Sequence, residues 1–214
     1  MVSANSSYIF FECTNSRCKL RFPLEAELFD GRYCPRCGAP LERQETGIPA
    51  LKPPPVPKPG FELIGALDNI RSAHNVGAIF RTADGAGLPE LLLGGITPTP
   101  DKQPSISKTS LGAEKSIKWS YRPNLPDTLA ELKANKCLIL ALEYATGACD
   151  LQVFQLTHPL PEQVALVVGS EPAGVDPSIL QIADQVLYIP MSGEKNSLNV
   201  SVAFGIAIYR LLGL

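Results

Sequence analysis

Short apolar runs alternate with helix-like patterns through residues 61–214 of this 214-residue chain, and few folds accommodate that alternation. Several of the runs are apolar on both faces, as buried parallel strands are. The predicted strands are FELIGAL (61–67), LPELLLGG (88–95), CLILALE (137–143), VALVVGS (164–170) and VLYIP (186–190). Helical patterns at 75–87, 125–135, 176–184 and 197–212 lie between or after them. The sequence therefore predicts a three-layer α/β domain with a mostly parallel sheet.

Helix start signals precede three of these patterns. Asn75, Pro126 and the pair Asp176–Pro177 are expected to begin their helices, because Asn and Asp cap free N–H groups and proline suits the first turn.

A proline-rich stretch, GIPALKPPPVPKPG, separates that domain from the N-terminal part of the chain. Such a run favours polyproline II and acts as a semi-rigid spacer. The predicted division is therefore a unit at 1–46, a linker at 47–60 and a large domain at 61–214. Their formal charges are 0, +2 and -4 within a total of -2. This balance excludes nucleic-acid binding by bulk positive charge, so a nucleic acid would have to meet a local patch.

The chain offers no membrane signal. No uninterrupted apolar run reaches the ~18 residues needed to span a bilayer, and the first fifteen residues lack a basic segment followed by an apolar one. We expect a cytoplasmic protein without a membrane partner.

Four of the six cysteines fall within the first 37 residues, as a pair at 13 and 18 and a pair at 34 and 37. Two such knuckles supply the four soft ligands of tetrahedral Zn²⁺, and CPRCG is typical of a zinc ribbon. A redox CxxC or a disulfide pair is the alternative, although a redox motif would not need the first pair. Nearby basic residues offer RNA a face, and a solvated surface explains them equally well. They are Arg17, Lys19, Arg21, Arg32 and Arg36.

Several catalytic motifs are absent from the large domain. It has neither a GxSxG elbow nor a GxGxxG after its first strand, and Gly169 and Gly174 are followed by Val175 and Asp176 where a P-loop requires Lys and Ser or Thr. Only two histidines occur, His74 and His158, and we assign neither a role. The segments 68–87, 168–176 and 189–201 remain, each rich in glycine and small polar residues beside a strand end, where α/β sheets bind ligands.

In these segments the sequence resembles the SpoU (TrmH-like) family of RNA 2'-O-ribose methyltransferases, within the SPOUT class. Three family motifs follow in order: LDNIRSAHNVGAIFRTADGAG (67–87), VVGSEPAGVDPSIL (167–180) and YIPMSGEKNSLNVSVAFGIAIY (188–209). GGITPTP (94–100) and KTSLGAE (108–114) are similar to a loop of one branch of the family.

The resemblance implies a fold, a reaction and an assembly. The fold is an α/β sheet whose C-terminal segment forms a deep trefoil knot, against the general rule that chains are unknotted. The reaction is S-adenosylmethionine-dependent methylation of a ribose 2'-hydroxyl in tRNA or rRNA, by a homodimer paired through the knot. Backbone groups at Leu142, Gly169, Ile189 and Leu198 would hold the cofactor.

Arg81 is the residue that the resemblance implies to be catalytic. In the predicted helix, Val76, Ile79, Phe80 and Ala83 form a buried stripe that leaves the Arg81 guanidinium exposed. A permanent cation there would hold an RNA phosphate and stabilise a developing alkoxide. A surface ion pair with Asp84, three residues on, is the alternative.

The other predicted catalytic residues are Asn75, Glu171, Ser197 and Asn199. Glu171 would anchor Arg81 or Asn75, while Asn199 can both donate and accept a hydrogen bond beside the ribose. Asn75, Ser197 and Asn199 also fit a simpler role as helix caps, and both interpretations stay open at this point.

Between residues 101 and 122 the basic residues exceed the acidic ones by three, with Trp119 and Tyr121 interleaved. Such a segment suits phosphate gripping and base stacking, and the two aromatic residues equally suit a half-buried strand. Two rival functions remain: an RNA-binding adaptor that keeps the cofactor fold without turnover, and an enzyme acting on a small molecule or protein.

Overall fold

The computed structural model describes residues 8–25, 31–46, 54, 56, 60–157 and 159–214. The chain divides into two compact units, Met1–Pro55 and Val56–Leu214. Most of the predicted linker at 47–60, and His158, lie outside the described residues, so the bounds of the three predicted parts remain predictions.

The N-terminal unit contains a three-stranded antiparallel sheet of order β2-β1-β3. Its strands are β1 (Tyr8–Cys13), β2 (Arg21–Glu25) and β3 (Leu41–Thr46). Alternate residues of β1, namely Ile9, Phe11 and Cys13, are buried. Gly31 (φ +62°) lies against Phe11, whose ring would be 2.5 Å from any Cβ added there. A side chain at this position would displace the largest core residue of the unit.

The second unit is built on seven strands of order β6-β5-β4-β9-β7-β10-β8, and every recorded pairing between them is parallel. This confirms the predicted α/β class with a mostly parallel sheet. The trefoil knot remains a prediction. The strands are β4 (Glu62–Asp68), β5 (Glu90–Gly94), β6 (Lys118–Arg122), β7 (Leu138–Leu142), β8 (Cys149–Asp150), β9 (Gln163–Val168) and β10 (Gln185–Tyr188).

Helices pack on both faces of this sheet, which gives it two apolar cores. The central strand β9 shows why its sequence is apolar from Val164 to Val168: Val164, Leu166 and Val168 belong to one core, while Ala165 and Val167 belong to the other. The helices are α1 (Ala73–Ala86), α2 (Ser107–Ser110), α3 (Leu125–Ala134), α4 (Leu151–Thr157), α5 (Pro177–Ile182) and α6 (Val200–Leu212), with single 3-10 turns at Pro104–Ile106 and Ala113–Lys115.

Two of the expected helix starts agree with the structure and one does not. Pro126 lies in the first turn of α3, and Asp176 caps α5 ahead of Pro177. The expected start at Asn75 is wrong, because Ser72 caps α1 by accepting the N–H of Asn75. Serine caps about as well as asparagine, so the helix gains most of a turn by starting earlier.

In the large unit, the sequence did not predict the edge strands β6 and β8, the short helices α2 and α4 or the two 3-10 turns. Strand β6 (KWSYR) packs Trp119 against the core and leaves Tyr121 exposed, so the half-buried strand interpretation of these two residues agrees with the structure. Among the α4 side chains that the structure describes, those of 151–154, Leu151 and Phe154 are buried. Elements this short and one-sided carry too few apolar residues for periodicity to detect.

The order of the strands brings the three sequence motifs to one edge of the sheet. Parallel strands end at the same edge, and β4, β9, β7 and β10 are successive neighbours. The segments that follow them begin at Asn69, Gly169, Glu143 and Ile189 respectively. Among the helices within the described ranges, none combines the length and the apolar character needed to cross a bilayer.

Candidate active site and metal centre

Three of the predicted catalytic residues form one hydrogen-bonded chain. Asn75 Nδ2 donates to Glu171 Oε1 (2.5 Å), and Asn199 Nδ2 donates to Asn75 Oδ1 (3.1 Å). Each residue comes from a different motif, 96 and 124 positions apart in sequence for the two contacts. Both ends of the Asn75 amide are thereby used, which fixes its orientation.

Local capping explains why these amides reach each other. Because Ser72 caps α1, the Asn75 side chain is not needed for capping and turns toward Glu171. Asn199 caps α6 through its oxygen, which accepts the N–H (2.9 Å) and hydroxyl (2.6 Å) of Ser201. Its nitrogen remains for Asn75. The cap interpretation of Asn199 therefore agrees with the structure, and its role at the site stays a prediction.

Arg81 is exposed and lies two turns further along α1. Ideal geometry places it about 9 Å along the axis from Asn75 and about 120° around it. Among the described residues, its guanidinium makes no hydrogen bond or ion pair, and the alternative ion pair with Asp84 is not formed. Glu171 contacts Asn75 and not Arg81.

Ser197 is also exposed, and within the described part of the chain its hydroxyl has no hydrogen-bond partner. It lies two residues before the cap of α6, so the capping interpretation of Ser197 is wrong.

The loop that carries Glu171, residues 169–176, is folded tightly on itself. A Cβ on Gly169 would lie 2.3 Å from main-chain atoms of Gly174 and Val175, so only glycine fits. Gly174 (φ +73°) donates its N–H to the Ser170 carbonyl (2.8 Å) and adopts a backbone conformation that favours glycine.

Two carboxylates that sequence reasoning missed hold this loop. Glu143, directly after β7, accepts the N–H of Val175 at Oε2 (3.1 Å), and Asp68, the last residue of β4, accepts the N–H of Asp176 (2.8 Å). Asp68 is only 2% exposed, and this burial raises the pKa of its carboxyl group against the lowering effect of its hydrogen bonds. The sequence did carry a signal for both residues, since each is an acidic residue at the end of an apolar run: Asp68 follows FELIGAL, and Glu143 ends CLILALE.

Three of the four predicted cofactor positions lie at adjacent strand ends. Leu142 ends β7 and is in register with both Val168 and Leu187, while Gly169 and Ile189 follow those two strands directly. Leu198 immediately precedes the cap of α6. A pocket of about 560 Å³ opens beside this edge, lined by Tyr144, Ala145, Thr146, Gly147, Ala148 and Tyr188. The site can thus offer backbone groups from three loops to one ligand.

The segment 104–110 packs closely on the first turns of α1. A Cβ on Gly77 would lie 2.1 Å from Thr109 Oγ1 and 2.5 Å from the Ile106 carbonyl oxygen. The Thr109 hydroxyl also lies within hydrogen-bonding distance of the His74 carbonyl (3.2 Å). This contact uses the backbone of His74 and not its imidazole. Part of the loop that is similar to one branch of the family, KTSLGAE (108–114), therefore packs against the helix turn that carries Asn75.

The sulfur atoms of Cys13, Cys18, Cys34 and Cys37 all lie within 4.8 Å of one another, and all four are free thiols. Cys13 and Cys37 are 3.4 Å apart, and Cys18 and Cys34 are 3.8 Å apart. A tetrahedral zinc ion with Zn–S bonds of about 2.3 Å requires S···S distances of about 3.8 Å. The four residues therefore fit one tetrahedral metal ion.

The thiols of this cluster differ in acidity. Burial raises the pKa of Cys13 to about 12, whereas a hydrogen bond to the backbone at Ala39 lowers that of Cys37 to about 7. A bound cation favours the thiolate form of all four cysteines, which is the form that ligates a metal.

The fold and the site together define a class of protein: a parallel α/β domain with a ligand site at the carboxyl edge of its sheet. Within that class, the SpoU rRNA Methylase family matches residues 62–209. The chain belongs to this family, which confirms the resemblance drawn from the three motifs.

Two curated relatives illustrate the match. One is the 23S rRNA (guanosine(2553)-2'-O)-methyltransferase RlmP of Bacillus subtilis, 35% identical over 69% of this chain and 56% of that protein. Another is the tRNA (guanosine(18)-2'-O)-methyltransferase of Escherichia coli K12, 30% identical over 69% of this chain and 62% of that protein. The chain thus spans about three fifths of the length of these relatives.

Solved structures agree with this assignment. The AdoMet-bound rRNA methyltransferase of Sinorhizobium meliloti superimposes with a TM-score of 0.64 at 28% identity, covering 70% of this chain and 55% of that one. The TrmH/SpoU tRNA modifying enzyme of A. aeolicus gives 0.63 at 32% identity, covering 71% and 74%.

Proposed function

We propose that this protein transfers a methyl group from S-adenosylmethionine to a ribose 2'-hydroxyl of a structured tRNA or rRNA. The observation that carries the proposal is the hydrogen-bonded chain of Asn75, Glu171 and Asn199, which joins residues of all three motifs at the strand ends. The names of the two curated relatives support the same reaction. An RNA-binding adaptor that keeps the cofactor fold without turnover would not need this network, so the network favours an enzyme over an adaptor.

When bound, S-adenosylmethionine supplies an electrophilic methyl group on a sulfonium centre. We expect Leu142, Gly169, Ile189 and Leu198 to hold it through their backbone groups, the first three from adjacent strand ends and Leu198 from the residue before the cap of α6. Gly169 takes no side chain because a Cβ there would meet the main chain of Gly174 and Val175, and this packing fixes the loop beside the proposed cofactor site.

Arg81 is the residue we expect to act on the RNA. Its exposed guanidinium has no partner among the described residues, so it is available to bind a phosphate bidentately and stabilise the 2'-oxygen as it loses its proton. Asn75 and Asn199 would orient the ribose, and Glu171 would hold Asn75 in place. Ser197, exposed just ahead of Asn199, is proposed to contact the RNA.

The test is methyl transfer from labelled S-adenosylmethionine to total RNA of a strain that lacks the protein. Labelling of one tRNA or rRNA species at a 2'-oxygen supports the proposal, and mapping the nucleotide identifies the substrate. A protein that binds the cofactor but labels no RNA would contradict it. Labelling of protein in place of RNA would favour the rival function of an enzyme that acts on a small molecule or protein.

We also propose a homodimer formed through α6. This helix exposes an apolar stripe at Val202 (50%), Ile206 (42%) and Tyr209 (39%), and the spacing of four and three residues places these side chains on one face. An exposed stripe of this kind is typical of a surface that pairs with another, and the resemblance implies a second copy as the occupant.

Ile206→Glu is expected to give a monomer, because it places a charge at the centre of the stripe. Sedimentation equilibrium measures the mass. Ile96→Glu, at a 66% exposed isoleucine outside α6, is the matched control and should remain dimeric. A monomeric wild-type protein at micromolar concentration would contradict the proposal.

Zinc is the metal we propose for the cysteine cluster, and no RNA chemistry depends on it. Metal analysis of the full chain is expected to give one zinc per chain, lost in Cys34→Ser. Structural zinc contributes about 10–16 kcal/mol to the folding of small domains, so its loss should unfold the N-terminal unit. Cys137→Ser, at a buried cysteine of the large unit, should keep the metal. Well under one zinc in the wild type would contradict this assignment.

Glu143 offers a test of how the Glu171 loop is held. Glu143→Ala removes the acceptor of the Val175 N–H, and leaving a buried N–H unpaired costs about 1–3 kcal/mol. We expect cofactor affinity to fall by about tenfold or more. Glu143→Gln keeps an acceptor oxygen and should restore most of that affinity. Isothermal titration with S-adenosylmethionine measures both variants. Equal losses in both would show that charge, and not the hydrogen bond, matters.

A further inference from the structure

The two cysteine-bearing turns of the N-terminal unit carry only positive charge. Residues 14–20 and 31–40 contain four basic residues and no acidic one. All four are exposed: Arg17, Lys19, Arg32 and Arg36. The acidic side chains described in this unit lie instead on the strands, at Glu12, Glu25 and Glu42.

The cysteine cluster brings these two turns together at one end of the unit. Cys13 and Cys37 are 3.4 Å apart, and Asn15 Nδ2 lies 3.8 Å from Cys37 Sγ. Arg17 and Lys19 flank Cys18, and Arg36 precedes Cys37. Cations from separate parts of the sequence therefore surround one cluster.

Several of these cations have no competing partner. In the described part of the chain, Arg17, Lys19 and Arg36 form no ion pair. Arg21 differs, because on β2 it pairs with Glu12 (3.2 Å) and lies over the Phe10 ring (5.8 Å). Only part of the basic face expected from the sequence is thus available to an external anion.

Tyr33 adds an aromatic surface to this end of the unit. Its side chain is 64% exposed. Its backbone is held firmly, since Tyr33 bridges Pro40 and the next residue, Cys34, donates its N–H to the Ala39 carbonyl (2.8 Å). An exposed ring on a fixed turn of the cysteine cluster, together with Arg17, Lys19 and Arg36, which form no ion pair among the described residues, offers what single-stranded RNA-binding surfaces use: stacking on a base and contact with phosphates.

We propose that Arg17, Lys19, Tyr33 and Arg36, here named the knuckle surface, bind an unpaired segment of the RNA substrate. This inference rests on the proposed function for the identity of the RNA. Charge favours RNA over a protein partner. Four thiolates with one Zn²⁺ carry a charge of about -2, and the four basic residues of the turns exceed it. The large domain has a formal charge of -4 with a local basic excess at residues 101–122, so a second basic surface would add to the affinity for a polyanion.

The experiment measures binding of the full chain to a short fluorescein-labelled single-stranded RNA and to total tRNA by fluorescence anisotropy. Arg17→Ala combined with Arg36→Ala should weaken binding by about tenfold or more and lower the slope of log Kd against log salt by about 1.4, for two lost phosphate contacts. Tyr33→Ala should cost about five- to 150-fold, and Tyr33→Phe should restore affinity because the ring is retained. Arg21→Ala, which removes an ion-paired arginine, is the matched control.

A zinc content equal to that of the wild type shows that the N-terminal unit of a variant is still folded. Steady-state methylation then separates the two proposals: the knuckle variants should raise KM for RNA and leave kcat unchanged. Wild-type RNA affinity and salt slope in the Arg17, Arg36 and Tyr33 variants would overturn the knuckle surface while methylation stands. Weakened RNA binding in a protein without methyl transfer would overturn the proposed function alone.

Discussion

Arg81→Ala is expected to lower kcat for methyl transfer to RNA by about 10²–10⁴-fold. The reason is the loss of a permanent cation that stabilises negative charge as the 2'-hydroxyl is deprotonated. The exposed guanidinium supports no other structure, since it has no partner in the described residues. Stability and cofactor affinity should therefore stay near those of the wild type, which makes the effect specific to chemistry. Single-turnover labelling at saturating RNA measures it.

Two further variants sharpen the interpretation of Arg81. Arg81→Lys keeps the charge but loses the bidentate fork, so an intermediate rate is expected. Arg43→Ala removes an exposed arginine from β3 of the other unit and should retain the wild-type rate. If Arg81→Ala methylates RNA as fast as Arg43→Ala, Arg81 is not the catalytic residue.

Gly169→Ala should abolish measurable cofactor binding while leaving the chain largely folded. A methyl group here would lie 2.3 Å from the carbonyl group of Gly174 and the nitrogen of Val175, and main-chain atoms cannot rotate away as a side chain can. Overpacking of this kind costs typically about 1–3 kcal/mol, and more where backbone must move. The displaced loop would also pull Glu171 from Asn75. Calorimetric titration with S-adenosylmethionine and thermal unfolding measure the two effects.

Gly193→Ala is the matched control for Gly169→Ala. Gly193 belongs to the third motif, and no heavy atom lies within 4 Å of a Cβ placed there. This variant should bind the cofactor as the wild type does. Equal binding by both variants would mean that the Gly169 loop does not hold the cofactor.

The core strands were predictable because each is surrounded by apolar groups on both faces. Strand β9 is buried at all five positions from Val164 to Val168, and its sequence is apolar at each of them. Strand β6 lies at an edge with Trp119 as its main buried contact, so it gives no such run. Local pattern therefore identifies buried strands and overlooks edge strands.

The site was predictable only in part, for a different reason. The choice of Ser72 over Asn75 as the cap depends on which side chain has a better partner elsewhere, here Glu171, almost a hundred residues away. Asp68 accepts the N–H of Asp176, and Glu143 accepts that of Val175. Each acid meets its N–H group only in the folded chain, because the partners are far apart in sequence. An exposed arginine such as Arg81 is ordinary by pattern alone, and its proposed role comes from the family motif.

The side-chain amide of Asn199 makes two contacts, capping α6 with its oxygen and donating to Asn75 with its nitrogen. This limits which residues can replace it. Aspartate would keep the oxygen that caps α6 but present a second acceptor to Asn75 Oδ1. Serine would keep a cap and be too short to reach Asn75, while alanine would lose both contacts and about 0.5–2 kcal/mol of helix stability. Among these three replacements, none supplies both the acceptor and the donor. Selection for a stable C-terminal helix tolerates aspartate or serine at this position, whereas selection for an ordered site does not, so the site sets the narrower limit on this residue.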